Sequence, residues 1–574
     1  VDRITEGLLR EFSEERQLTN KSVSDQFEAF ATYCVLSHQF DGEFDPVDLL
    51  TGGGSDLGID GAALIVNGDL VTTPEEIADL RSRNNYLQCR IVLVQAKTSS
   101  GFDGATITNL ADNLNSGLFA ENSSLPMNEE IAAFKELVDT LYENSPAFRR
   151  GAPDLVIRYA TTGTWNHDDY LESKRASAIQ RLEGLSLFRD VSFECIGARE
   201  LQDLYRKARE TVEAEFQFGS QVLLPEMPGV EQAYIGIVSA DEYLQLITDD
   251  SGSVRKSLFY ENVRDFQDYN SVNHGIRETL QSPEARGRFL ILNNGVTVVA
   301  RELNVVGKKF TLRDYQIVNG CQTSHVLFDE RDNVDSVFVP MRLIVTKDDE
   351  VASSVTAATN RQTEVSDEDL GALEHLQKLL ESYFAAHPIE KRLFYERRSK
   401  QYNSVVGLEK TRIITRAQLV RAYAAMFLDE PWRAGRYYQE LLRIRKGDIF
   451  NANDTPEPYY VSAVAAYRLE YLFRNGYLST KYKPARYQLL MALRHLIGGS
   501  AVPNTPRNLI KYCESISEVL WDVQEGPAAI SRLLPVVDAA VQYTESDAKL
   551  DRDTVRTQQF TDQIIKGVVA LQAE

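Results

Sequence analysis

At 574 residues the chain exceeds a single hydrophobic core, since cores stop growing near about 250–300 residues, and roughly two to four domains are expected. Its 43% hydrophobic and 25% charged residues exclude a disordered or fibrous chain. The net charge of −22 excludes a passive nucleic-acid coat, which works through clustered Lys and Arg, so any nucleic-acid contact must come from a local basic patch.

No run of about 18 apolar residues occurs, and Val1-Asp2-Arg3-Ile4-Thr5-Glu6 lacks the basic-then-apolar order of a leader. A cytoplasmic protein without membrane contact is expected. Cys34, Cys89, Cys195, Cys321 and Cys513 are far apart, with no Cys-x-x-Cys pair, and read as reduced core thiols. The histidines are scattered and form no constellation.

In chain order, residues 24–37 read as a helix capped by Ser24, with Phe27, Phe30, Ala31, Cys34 and Val35 on one face. Residues 59–66 and 90–96 read as strands, with a helix start between them at Thr73-Pro74-Glu75-Glu76, where Pro takes the first helical position. A strand at 155–159, a helix near 172–182, a strand at 191–196 and a helix opened by Ala198-Arg199-Glu200 complete an α/β domain over 1–215. Residues 217–231 hold Gly219, Pro225, Pro228 and Gly229 and read as a linker. A second α/β segment, 232–400, contains two apolar runs joined through Asn294-Gly295, a hairpin signal. Helical periodicity begins near 365, and 401–574 is expected to be all-α, with stretches near 366–385, 415–428, 457–474, 484–497 and 528–543.

The chemistry-bearing pattern lies in the first domain. Ser55-Asp56-Leu57-Gly58-Ile59-Asp60-Gly61 places two acids in a Gly-rich turn entering a strand, and Ile91-Val92-Leu93-Val94-Gln95-Ala96-Lys97 follows. A strand has a side-chain period of two, so Gln95 and Lys97 share a face, and hairpin pairing can set Asp60 beside them. Phosphodiester hydrolysis needs oxygen ligands for Mg²⁺ and a cation or base to orient water. Asp60 and Gln95 supply oxygens, Glu28 on the preceding helix adds a carboxylate, and Lys97 can polarise water or steady phosphate charge. The competing reading makes Asp56 and Asp60 turn residues and Gln95 and Lys97 an edge-strand face. Against it, a run as apolar as Ile-Val-Leu-Val is usually buried on both faces, and a lysine ending it wants a partner.

With Phe27-Glu28 on the helix ahead of it, this arrangement resembles the PD-(D/E)xK nuclease superfamily, particularly Mrr-like restriction members that use Gln-x-Lys. The resemblance covers 24–100 and implies a restriction-endonuclease-like α/β domain. It also implies Glu28, Asp60 and Gln95 as ligands of Mg²⁺ (or Mn²⁺), with Lys97 catalytic and Asp56 a turn residue.

Downstream, Leu258 to Asp265 (with Asn262-Val263-Arg264), Asn293-Asn294-Gly295-Val296-Thr297, Gln316 to Ser324, and Ala358-Thr359-Asn360-Arg361-Gln362 together resemble the AIPR (abortive infection phage resistance) family from about 235 to beyond 420. Each phrase alone is also ordinary turn chemistry. The order Asn-Gly-x-Gln-Thr, apolar strand, Asn-Arg resembles more loosely the ParB and DGQHR groups, in which such elements surround a phosphate. On that likeness Asn319, Gly320, Gln322, Thr323, Asn360 and Arg361 are expected to line a nucleotide or phosphate pocket.

Residues 391–421 carry nine Lys or Arg against two Glu, interleaved with Tyr395 and Tyr402. Arg392, Arg397, Arg398, Lys400, Lys410 and Arg412 are therefore candidates for nucleic-acid binding, weighed against a solvated face paired with acids elsewhere. The expectation is a metal-dependent endonuclease of anti-phage defence acting on DNA rather than RNA, as a homodimer, under a regulatory partner protein or nucleotide effector. The alternative is a catalytically weak nucleic-acid or nucleotide sensor.

Overall fold

The computed structural model describes residues 2–149, 151–249, 252, 254–259, 271–360, 367–398, 400–403, 405, 407–445, 447–451, 453–544 and 550–573. The first sheet comprises β1 (Gly61–Val66), β2 (Asp69–Val71), β3 (Cys89–Lys97), β4 (Asp154–Thr161) and β5 (Asp190–Ile196), ordered β2-β1-β3-β4-β5. β1 is antiparallel to β2 and β3, whereas β3, β4 and β5 run parallel.

Both faces are covered by helices: α1 (Arg3–Glu15), α2 (Val23–Leu36), α3 (Pro74–Asn84), α4 (Gly104–Asn113), α5 (Glu129–Glu143), α6 (Asp169–Glu183) and α7 (Ala198–Arg209). Ile91 and Leu93 pack with residues of α3 to α6, while Val92, Val94 and Ala96 pack with α1, α2 and α7. The apolar run of β3 is thus buried on both faces, as parallel strands between helix layers require. Lys97 is different: it stands exposed at the strand's end, so burial gives it no need of a partner.

Local chemistry sets the element ends. Thr73 and Glu76 form a capping box on α3, with Pro74 at the first turn. α2 is capped by Ser22, not Ser24, because Ser22 is extended and its hydroxyl accepts from Asp25 N; Ser24 instead donates to Glu28 Oε1 at 3.2 Å.

The stretch 217–231 is more than a linker. β6 (Glu213–Gln217) and β7 (Ser220–Leu223) join β8 (Gln232–Ser239), β9 (Val296–Val306), β10 (Lys309–Asn319) and β11 (Phe338–Val345) in a sheet ordered β6-β10-β9-β11-β8-β7. One segment bent at Phe218-Gly219 therefore pairs with both β10 and β8, and the sheet curls closed. Tyr234 of β8 meets Phe310 of β10 with ring centroids 5.1 Å apart.

The hairpin expected through Asn294-Gly295 does not form. Phe289–Leu292 is a helical turn, since an apolar run that short does not distinguish strand from helix. Gly295, at φ +78°, sits against Pro340, where a Cβ would stand 2.3 Å from the carbonyl oxygen. The turn thus feeds β9 into parallel pairing with β11, and β9's hairpin partner is β10, across Gly307.

The helical core runs from Leu376 to Val568 and begins ahead of residue 401, taking in β12 (Phe394–Glu396) and β13 (Ile413–Thr415). It docks on the first domain through Arg421–Glu76, Arg436–Asp79 at 2.7 Å and Arg474–Asp45 at 2.5 Å. All five cysteines are buried thiols. Burial pushes the Cys195 and Cys513 thiols up to about 12 and raises those of Cys34 and Cys89, which makes them inert. Among the described residues no helix is long and apolar enough to cross a membrane.

Candidate active site

The first sheet brings Asp60, Gln95, Lys97 and Glu28 to one end of its central strands. β1 pairs with β3 from Gly61 opposite Val94, and Asp60 N donates to Val94 O at 2.8 Å, so Asp60 lies beside Gln95. The link is not a simple hairpin, because β2 and α3 intervene.

Asp60 is 4% exposed and Gln95 2%. Asp60 Oδ2 accepts from Ala96 N at 2.7 Å and from Gln95 Nε2. That fixes the amide orientation and leaves Gln95 Oε1 as the free lone-pair atom. Gln95 Oε1 would stand 3.2 Å from a Cβ at Gly58, whose φ of +79° also favours glycine. Asp56 shapes the same turn by accepting from Gly58 N at 2.8 Å.

Glu28 enters from α2, half-buried. Burial first, and then the neighbouring Asp60 carboxylate, push it up to about 7, while Ser24 and Lys97 pull the other way. Burial likewise raises Asp60, against the Ala96 hydrogen bond and the Lys97 charge; Asp56 adds to the raise. The Asp60 carboxylate, which opposes ionisation of Glu28, the Glu28 carboxylate itself and the Gln95 amide oxygen form an oxygen-only donor set suited to a hard divalent cation, with the exposed Lys97 ammonium in electrostatic reach. Among the described residues no group of three or more His, Cys, Asp or Glu could hold a metal ion; this set has two carboxylates, its third oxygen being an amide.

Sequence reasoning missed the residues around these four. Thr51 donates its hydroxyl to Ile59 O, and Asn128, the cap of α5, donates to Thr51 O at 2.7 Å. The Asn-capped start of α5 was the available signal for Asn128.

The middle phrases meet only in part. Asn319 Nδ2 donates to Thr359 O at 2.6 Å, tying the end of β10 to the helix Asp349–Asn360. Gly320, at φ +102°, precedes the helix Cys321–Asp329; Gln322 accepts from Asn273 Nδ2 at 2.6 Å, and Thr323 is buried. Asn360 ends its helix, whereas Arg361 and the phrase Asn262-Val263-Arg264 lie outside the described residues.

The cations of 391–421 are largely engaged inside the protein. Arg397 pairs with Glu381 at 2.9 Å, Lys400 with Asp41 at 2.8 Å, and Arg398 with Asp349 at 3.7 Å. Lys410 donates to the carbonyls of Tyr402, Asn403 and Val405, and Arg412 to Glu409 and the carbonyls of Glu390 and Arg392. Arg392 donates to His387 O at 3.1 Å. Tyr395 is fully buried and offers no stacking face.

No curated protein and no solved structure matches the chain. Residues 259–537 match the family model described as AIPR protein, a span that takes in the Asn293–Thr297, Gln316–Ser324 and Ala358–Gln362 phrases and much of the helical core, and this match supports the AIPR family for that part of the chain.

Proposed function

We propose that the protein is a Mg²⁺-dependent nuclease, acting on DNA in abortive-infection defence against phage. The observation that carries the reading is the union of Asp60 and Gln95 at the mouth of β3, with Glu28 near enough to resist ionisation and Lys97 free in solvent. The defence role rests on the AIPR match.

Glu28, Asp60 and Gln95 would hold Mg²⁺ or Mn²⁺, which when bound polarises the phosphoryl oxygen. The chain's residues do the rest. Lys97 steadies charge on the phosphate or orients the attacking water. Gln95 holds Asp60 in place, and the Ala96 amide keeps its carboxylate from turning. Cleavage of plasmid and phage DNA, with RNA in parallel, tests the reading: wild type cuts with Mg²⁺, and Asp60→Ala abolishes cutting. Equal cutting by both overturns it. A homodimer would place two such sites on the two strands, and a regulatory protein or nucleotide would act through the AIPR segment.

One observation favours a second reading, a catalytically weak sensor. Gln95 occupies an Asp60 oxygen with its own amide, which leaves fewer lone pairs for a cation. Calorimetry with Mg²⁺ separates the two, since the sensor reading predicts negligible heat.

A further inference from the structure

The loop ahead of Asp60 carries three consecutive glycines, Gly52-Gly53-Gly54, and the fold accounts for only one of them. Gly53, at φ +113°, needs to be glycine. Gly52 and Gly54 lie outside the left-handed region. A Cβ at Gly54 would meet nothing within 4 Å, and one at Gly52 would meet only Glu28 Oε2, at 3.8 Å. Ordinary residues would therefore fold at both positions. All three glycines are exposed. What a side chain at Gly52 would take is the space in front of the Glu28 carboxylate.

A single residue holds this ribbon at both ends. Asn128 Nδ2 donates to Thr51 O at 2.7 Å and to Gly52 O at 3.5 Å, and Asn128 N donates to Ser55 O at 3.0 Å. Its Oδ1 accepts from Ile131 N at 2.9 Å, capping α5. The base of the ribbon is joined to the site, because Thr51 N donates to Asp60 O at 3.2 Å.

From this we infer that Gly52–Gly54 is the wall along which the phosphodiester strand seats, bare of side chains so that the nucleic-acid backbone can reach Glu28 and Asp60, and that Asn128 is the positioning residue that holds it. Exposed glycine backbone suits this task because it lets a phosphate approach closely and offers N–H groups to it. The inference rests on the nuclease reading and names the surface its substrate would touch.

Two substitutions separate the wall from the fold. Gly52→Val fills the space before Glu28 at a position whose φ lies outside the left-handed region, with Gly52→Ala as the milder form. Asn128→Asp keeps the helix cap, since Asp caps as well as Asn, and removes the amide that holds Thr51 and Gly52. Melting temperature, kcat and KM with Mg²⁺, and anisotropy of a labelled oligonucleotide with Ca²⁺ in place of Mg²⁺ are measured for each. Both variants are expected to melt within about 2 °C of wild type. KM and the anisotropy dissociation constant should rise about tenfold in Gly52→Val and about threefold in Asn128→Asp, with a smaller change in kcat for Asn128→Asp. A wild-type enzyme that cuts, with both variants binding and cutting as it does, overturns the wall alone. A wild type that cuts no better than Asp60→Ala removes the nuclease reading and the wall with it.

Discussion

Two regions of this chain advertise chemistry, and the structure treats them oppositely. Around Asp60 the polar groups are only part-satisfied: a buried carboxylate held above its usual range, a second pushed up to about 7, and a lysine left in solvent. In 391–421 the charges are more numerous, yet they are mostly spent on Glu381, Asp41, Asp349, Glu409 and backbone carbonyls. Charge density in a sequence therefore says little about availability. What separates a site from a scaffold is whether the partners lie within the chain, and a site keeps groups whose preferred partner is a ligand.

The comparison predicts opposite responses to mutation. Asp60→Asn should lower cleavage about a hundredfold or more while the melting temperature stays level or rises, because it removes a carboxylate that the fold disfavours; parallel kinetics and calorimetric melts read both. Arg421→Met should do the reverse. It leaves buried Glu76 without its cation and should cost about 3–5 kcal/mol in urea unfolding, with the cleavage rate of the folded fraction unchanged. Arg397→Ala should cost about 1–2 kcal/mol, and oligonucleotide affinity should move less than about twofold. A large loss of affinity there would mean that the segment is an interface after all.

The smallest effect is a pH signature. Burial depresses Lys410 from its usual 10.5 to about 8. Between those values the unfolded chain holds a proton that the folded chain lacks, so stability rises with pH across that window. Lys410→Met should abolish this rise while losing the hydrogen bonds to Tyr402, Asn403 and Val405. A rise of equal size in the variant would assign it to another group.

The first domain was legible because its signals are local. The apolar β3 run, the capping box at Thr73 and the two-residue period linking Gln95 to Lys97 each express physics within a few residues. The failures mark where distant contacts decide. Asn294-Gly295 looks like a hairpin turn until Pro340 is placed against it, and 217–231 looks like a linker until β8 and β10 arrive on either side. The acids that engage Lys400 and Arg421, namely Asp41 and Glu76, lie in the first domain, beyond any window of sequence. Asn128 escaped for the same reason: its helix cap is local, but its hold on Thr51 is not.

One assay sets the two regions against each other most directly: Mg²⁺-dependent cleavage of DNA by wild type, Lys97→Ala and the double variant Arg397→Gln, Arg398→Gln. The account predicts that wild type cuts, that Lys97→Ala loses about a hundredfold or more, and that the folded double variant stays within about twofold of wild type. Full cutting by Lys97→Ala, or loss of cutting confined to the double variant, would contradict it.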